Sequence, residues 1–333
     1  MARIKDVALL AGVNRSTVSR IINGEGKFRE ETKRKVEQAM AELNYRPSAI
    51  ARSLATASSN MTGLLVTFYT GGFFGEMMDQ VQNELDKHKK FLITAQGHHS
   101  AEGEREAIQR FHDLRCEGYV LHSRYMSDEE LRELATLPTP FVLLDRFVEG
   151  LEDRCITFDH EDAAFIATSH LIENGHTCIG CIAGPSERVS AKKRLSGFIK
   201  AMDSRTISWS DSLIVEGDYG RESGYLAAKK LVSQNPDLTA VFCTSEEMTS
   251  GAMQYFHENE IRVPQDISIV SFDSVYVCES FYPTVSSVQF PISKMARSAV
   301  EILTAKIQGK ETSAAQEFEP ELIRRKSVSP LQA

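Results

Sequence analysis

Residues 4–23, IKDVALLAGVNRSTVSRIIN, read as two short helices joined by a glycine turn. Ile4, Val7, Ala8 and Ala11 recur at helical spacing and give the first helix one apolar face. Gly12 ends it, because glycine accepts the left-handed conformation that a helix C-terminus needs. Asn14 is a favourable N-cap for a second helix, which turns Val18, Ile21 and Ile22 inward and leaves Arg15, Ser16, Thr17, Ser19 and Arg20 polar. A third helix is expected near 30–43, with Val36, Ala39, Met40 and Leu43 closing a small core, although Arg29 stands where Ser or Asp would cap better. Helix, glycine turn, helix is the arrangement that lays a second helix in the major groove of DNA. On spacing alone a generic three-helix bundle with a solvated polar face stays open.

The distribution of charge favours the DNA reading. The 333 residues carry a net charge of -8, which would oppose nucleic acid if spread evenly. Instead, residues 1–60 hold 11 Lys and Arg against 6 Asp and Glu, a balance of +5, leaving 27 against 40, or -13, for the rest. A basic head on an acidic body is expected of a DNA-binding module joined to something else. The 42% apolar and 25% charged content is that of a soluble globular protein, and the length calls for two or three domains. No signal peptide or membrane span is read, so a cytoplasmic protein is expected. Six scattered cysteines (116, 155, 178, 181, 243 and 278) are expected as buried thiols. Cys178 and Cys181 form a C-x-x-C inside a buried strand pattern with no second ligand pair nearby, so neither a zinc nor a redox site is expected.

From Thr62 onward, short apolar runs alternate with amphipathic stretches. GLLVTF, FLITA, GYVLH and FVLLD, then CITFD, CIGCIAG, LIVEGD, AVFCTS and ISIVSFD, then VSSVQFP and a last strand FEPELIRRKSV, read as strands. Helices are expected near 75–89, 101–115, 127–136, 162–174, 191–203, 222–234, 248–259 and 292–307. This alternation means a doubly wound α/β body with two parallel sheets behind an all-α head.

Ligands of such sheets sit beyond the carboxyl ends of the strands. Asp145 and Asp273 close two strands, Ser245 and Glu246 follow a third, and Arg194 lies shortly after the GPSERVSAKKR loop. Carboxylates accept adjacent sugar hydroxyls, and a guanidinium donates in a fixed fork. Phe73, Phe74, Phe158 and Tyr219 offer flat apolar faces to a pyranose. Each has a plainer reading: a carboxylate after a strand is often the N-cap of the next helix, and the aromatics are often core. Asp159-His160-Glu161-Asp162 reads as a helix N-terminus favouring negative charge rather than a metal site.

DVALLAGV at 6–13, TVSRIIN at 17–23, ETKRKV at 31–36 and NYRPSAIARSLA at 44–55 together closely resemble the N-terminus of LacI/GalR-type transcriptional repressors. The resemblance continues through the body, which looks like the two-lobed, periplasmic-binding-protein-like sensor of those repressors. Residues 99–118, HSAEGEREAIQRFHDLRCEG, are similar to the galactose and β-glucoside repressor branch. The implied organisation is a DNA-binding domain at 1–46, a hinge at 47–60 and an effector-binding and dimerisation domain at 61–333. Its N-lobe would span about 61–158 and 290–320, and its C-lobe about 159–289 and 321–333. The hinge SAIARSLATAS is too short to hold a helix alone in water. In the family it forms a helix paired across a dimer in the minor groove, where Leu54 matches the wedge between base steps, Ala51 the close approach and Arg52 a phosphate contact. RLSGF places Arg194 on the family's effector-contacting arginine, FD places Asp273 on its carboxylate, and GDY places Tyr219 on its aromatic wall. Ser245-Glu246 departs from the family's usual Asn-Asp, and Ser274 from a second Asp.

The resemblance therefore implies a homodimeric repressor that reads a pseudo-palindromic DNA operator and is regulated by a sugar or β-glucoside. A purine or phosphorylated corepressor is the alternative. No Gly-x-Ser-x-Gly elbow, Walker loop or metal-ligand set is present, so no enzyme and no cofactor are expected.

Overall fold

The structure, a computed structural model, describes residues 2–23, 26–46, 59–273, 275–314 and 316–331, and the side chains of residues 273, 275 and 276 are not described. The expected hinge helix, with Ala51, Arg52 and Leu54, lies outside the described residues. Two compact units are present, a head formed largely by residues 1–61 and a larger body.

In the head, α1 (Ile4–Ala11), α2 (Arg15–Ile22) and α3 (Glu30–Glu42) enclose Val7, Val18 and Val36, all completely buried. Gly12 terminates α1 in the left-handed region at φ 66°, the conformation its position between two helices demands. Asn14 holds the N-cap position of α2 in extended conformation, yet its side chain makes no cap hydrogen bond. Arg29, the poor cap, makes none either. The start of α1 is closed by Asp6, whose carboxylate accepts the N–H of Arg3 at 2.8 Å.

The body contains two six-stranded sheets with a shared pattern. The first is built from β1 (Met61–Val66), β2 (Phe91–Gln96), β3 (Gly118–Leu121), β4 (Phe141–Leu144), β5 (Cys155–Phe158) and β11 (Glu317–Phe318), in the order β11-β5-β4-β3-β1-β2. The second is built from β6 (Ile179–Ala183), β7 (Ile214–Glu216), β8 (Ala240–Cys243), β9 (Ser268–Asp273), β10 (Ser286–Gln289) and β12 (Glu321–Ile323), in the order β12-β10-β9-β8-β6-β7. β5, β4, β3 and β1 run parallel, as do β7, β6, β8, β9 and β10, whereas β12 is antiparallel to β10. Val120, Leu121, Val142, Leu143, Val241 and Phe242 have no exposed surface, as strands covered on both faces require.

The chain crosses between the sheets after β5, after β10, and between β11 and β12. The single expected strand at 318–328 is thus two short strands in different sheets, with Pro320, which has no N–H to donate, between them. The strand expected as LIVEGD shortens to β7 behind a 3₁₀ turn, and the helix expected from 248 begins at Glu246. The six cysteines are free thiols, five of them buried. No helix among the described residues is long and apolar enough to cross a membrane.

Helices fill both faces. α4 (Gly72–Lys87) and α11 (Ile292–Ile307) pack together, with α11 against β3 and β4, while α5 (Ala101–Asp113) and α6 (Asp128–Leu134) complete that lobe. On the second sheet, α7 (His160–Glu173) packs on β9 and β10 and against α8 (Val189–Ser204), and α9 (Arg221–Gln234) packs against α10 (Glu246–Glu258). α7 and α8 approach closely because position 197 is glycine: a Cβ there would lie 2.0 Å from the Glu161 carbonyl oxygen.

Candidate functional site

In the head, α2 presents Arg15, Ser16 and Arg20 to solvent, while Thr17 and Ser19 are half-buried beside the core residue Val18. The Arg20 guanidinium lies 5.6 Å from the centroid of the Phe28 ring, a cation–π contact that orients it. This helix offers long basic and short hydroxyl side chains on one face, the donor types that reach base edges and phosphates.

In the body, a cleft of about 670 Å³ opens between the two lobes at the carboxyl ends of their strands. Of the residues expected from the sequence to contact a ligand, Phe73, Phe74, Asp145, Arg194, Tyr219, Ser245 and Glu246 line it. Phe158 does not. It is buried in the core behind the cleft, packed edge-on against Phe272 with centroids 5.8 Å apart and tilted against Phe290 at 4.8 Å. Asp273 ends β9 as expected, and its side chain lies outside the described residues.

A hydrogen-bonded chain crosses the cleft from lobe to lobe. Asp145 is buried, and its residue stands in the left-handed region at φ 57° with no helix following, so it is not an N-cap. One of its oxygens lies 2.8 Å from His160 Nε2 and the other accepts from Arg124 Nη2. Arg194 Nε donates to His160 Nδ1 at 3.3 Å, and its Nη1 donates to the Thr244 carbonyl. A guanidinium N–H can only donate, so Nδ1 of His160 accepts and the ring's one proton sits on Nε2, donated to Asp145. The same logic applies on the other side. Arg124 Nη2 lies 2.7 Å from His122 Nε2, which must accept, so His122 Nδ1–H donates to Thr67 Oγ1 at 3.1 Å.

Protonation is set by these partners. Burial, reinforced by Arg124, pushes the His122 imidazole well below its ordinary value, and burial likewise lowers His160 despite the Asp145 carboxylate beside it. Burial alone would raise Asp145, but His160 and the Arg124 guanidinium hold its carboxyl well below the usual range. Burial also lowers Arg194, whose guanidinium stacks 3.5 Å from the centroid of the Phe272 ring.

His170 and His176 are also lowered, chiefly by burial. All four histidines therefore hold fewer protons in the folded chain than in the unfolded one below the ordinary value of 6.5. Their contribution is complete above that pH and is lost as the pH falls through it towards the folded values, with Asp145 adding a loss only below its ordinary value of 3.8. The urea midpoint is expected to be lower at about pH 5.5 than at about pH 7.5. An unchanged midpoint would contradict the neutral, buried imidazoles.

Two further contacts join the lobes. Glu246, buried at the start of α10, accepts the N–H of Phe73 at 2.8 Å. At the mouth, Arg188 lies over the Tyr125 ring, 4.2 Å from its centroid, and donates to the Tyr125 hydroxyl. Ser245 caps α10, its hydroxyl accepting the N–H of Met248 at 3.3 Å. The Tyr219 hydroxyl is buried without a hydrogen-bond partner among the described residues, and Glu76, half-buried beside Glu246, has its carboxyl raised by burial and by that charge.

The matches with known proteins agree with this layout. Residues 3–48 match the model for bacterial regulatory proteins of the lacI family, and residues 168–328 match that for a periplasmic binding protein-like domain. The HTH-type transcriptional regulator GalR of Escherichia coli K12 is 36% identical over 330 residues, which are 99% of this chain and 96% of GalR. The chain belongs to the LacI family. Within that family it is also 34% identical, over 99% of its length and all of the relative's, to the HTH-type transcriptional repressor PurR of Vibrio atlanticus. The lac repressor dimer bound to operator and the anti-inducer ONPF superposes with a TM-score of 0.86 at 27% identity, covering 98% of this chain and 99% of that one. LacI family membership makes the chain a DNA-binding transcriptional regulator with a ligand-binding body, not an enzyme.

Several residues in the cleft or buried directly behind it are not evident from the sequence. His160 is hidden inside a run whose helix-start signal is genuine: Asp159 caps α7, accepting the N–H groups of Glu161 and Asp162 at 3.0 Å. His122, Arg124 and Tyr125 come directly after β3, and the strand-end rule applied to GYVLH points to them. The 123–126 turn is held by buried Glu104, which accepts the Ser123 hydroxyl at 2.6 Å and the Arg124 N–H at 2.7 Å.

Proposed function

We propose that this LacI family member is a sugar-responsive repressor acting in the cytoplasm, in which a homodimer reads a pseudo-palindromic operator and a small sugar or glycoside in the cleft sets operator affinity. The observation that carries the ligand class is the composition of the cleft: the rings of Phe73, Phe74 and Tyr219 line it together with the polar groups of Asp145, Arg194, Ser245 and Glu246. Flat apolar faces suit the C–H side of a pyranose, and the polar groups suit its hydroxyls. Asp273, at the end of β9, is assigned to the same set. Because the chain of hydrogen bonds spans both lobes, a ligand that takes over part of it changes the balance between open and closed lobes. Effector and operator binding are then coupled reciprocally.

In the head, Arg15, Ser16 and Arg20 are assigned to major-groove base edges and Thr17 and Ser19 to phosphates. The hinge supplies Arg52 to the backbone and Leu54 as the wedge, preferring a flexible pyrimidine–purine step at the centre. Exchanging Arg15 and Ser16 together is expected to change which operator is chosen while sugar affinity stays the same. An unchanged choice in a binding-site selection would sink the assignment.

Similarity to PurR along nearly the whole chain favours a second reading, a purine or phosphorylated corepressor. Five carboxylates line the cleft, Asp145, Glu187, Asp218, Glu246 and Glu247, against three guanidiniums, Arg124, Arg188 and Arg194, and this negative balance weighs against a phosphorylated ligand. Calorimetric titration with hexoses, glycosides and nucleobases, followed by operator binding with each hit, decides between them. Binding by nucleobases alone would overturn the sugar reading.

A further inference from the structure

Helix α4 has a poor start of its own. Gly71 holds the N-cap position at φ 90° with no side chain to close the turn, and Gly72 and Gly75, poor helix formers, bracket Phe73 and Phe74 in the first turn. The Gly75 N–H reaches the Gly71 carbonyl at 3.2 Å, and the N–H groups before it need acceptors from outside the helix. That of Phe73 finds one on the other lobe, the Glu246 carboxylate at 2.8 Å. Glu246 is itself the first residue of α10 and only 5% exposed, so one buried carboxylate lies at the positive ends of two helices, one from each lobe. The fit is close. A Cβ at Gly72 would stand 2.6 Å from the same Glu246 oxygen and 3.0 Å from Cγ2 of Val277, also on the second lobe. The turn held in this way carries Phe73 and Phe74, whose rings line the cleft.

We propose that Glu246 is a positioning residue: it caps α4 from across the cleft, and the turn that carries Phe73 and Phe74 is complete only while the two lobes meet. Opening the lobes withdraws the carboxylate. The turn then keeps two glycines and no side-chain cap, and the two rings lose the fixed backbone beneath them. The ligand face of the first lobe is thus finished by the second, so closure and the assembly of the site are one event. This inference rests on the cleft being the effector site and not on the sugar reading, because the contact lies within the protein and its test needs no ligand.

The test is amide hydrogen exchange of the full chain without ligand, read at Phe73, with Val81 in the middle of α4 as the internal reference. In Glu246→Ala, protection at Phe73 relative to Val81 is expected to fall about tenfold or more, the low end for a hydrogen bond to a charged group. Glu246→Gln, which keeps an acceptor oxygen, is expected to recover most of it. Gly72→Ala separates the cap from helix propensity. Alanine favours a helix over glycine, so a self-sufficient turn would gain protection, whereas a turn capped from the other lobe loses it, because the new methyl displaces the Glu246 oxygen. This variant alters no side chain that lines the cleft, and it decides the matter should Glu246→Ala not fold. Gly75→Ala, with nothing within 4 Å of its Cβ, is expected to keep the protection. Unchanged protection at Phe73 in Glu246→Ala, a gain in Gly72→Ala, or an equal loss at Val81 overturns the cap and leaves the sugar reading, which calorimetry decides, untouched.

Discussion

Asp145→Ala is expected to lower the stability of the two-lobed body by about 3 kcal/mol, the low end of the cost of removing one member of a buried ion pair. The wild-type carboxylate is surrounded by donors. It takes Arg124 on one oxygen and His160 on the other, while the carbonyl of the same residue takes Arg124 Nη1. With only 5% of its side chain exposed, little water is available to replace it. Arg124, at 18% exposure, recovers some hydration, which is why the low end applies. Removal leaves the His160 N–H without its acceptor and weakens the orientation that Arg194 depends on, so effector binding is expected to fall with stability. The measurement is calorimetric unfolding of the variant and the wild type at neutral pH. A body transition at the wild-type temperature would mean that the ion pair contributes nothing and that the chain across the cleft is incidental.

The second large effect is expected from one methyl group. Gly197→Ala puts a Cβ 2.0 Å from the Glu161 carbonyl oxygen and 2.9 Å from both the Ala164 Cβ and the Phe165 nitrogen, all on α7. These neighbours are helix backbone or a short side chain and have no rotamer with which to retreat. α8 must move away from α7, at about 3 kcal/mol or more, well beyond the gain of about 1 kcal/mol from replacing glycine within a helix. His160 stands at the start of α7 and Arg194 one turn before Gly197 on α8, so the displacement also separates the 3.3 Å pair that crosses the cleft. Gly75→Ala is the matched control. It lies in α4 with nothing within 4 Å of its added Cβ, and is expected to stabilise by roughly 0.5 kcal/mol. If the two alanines shift the body transition alike, close approach of α7 and α8 is not what position 197 provides.

The architecture was legible because its signals are local or periodic. The apolar runs that become β3, β4, β8 and β9 and the glycine at 12 each carry their meaning within a few residues. The same locality explains the losses. FEPELIRRKSV looks like one strand because nothing within it reveals that β11 and β12 join different sheets. Phe158 sits at the end of a strand like Asp145, but whether a ring faces the cleft or the core depends on Phe272 and Phe290, more than a hundred residues along the chain. His160 carries the helix-start context of its neighbours, and its role exists only because Asp145, 15 residues back, and Arg194, 34 residues on, arrive at its two nitrogens. The rule that ligands gather at strand ends found the cleft. It did not tell which polar groups there are already engaged with one another.

The three crossings between the sheets have a mechanical consequence. β5 and β11 are neighbours at one edge of the first sheet, and β10 and β12 are neighbours at one edge of the second. All three connections therefore leave from the same flank of each lobe. Three short tethers anchored side by side behave as a flexure: they bend readily about the line they share and resist sliding or twisting of one sheet over the other. The lobes are left with essentially one soft coordinate, the opening angle of the cleft. Occupancy of the cleft is then expected to be expressed chiefly as a change in that angle.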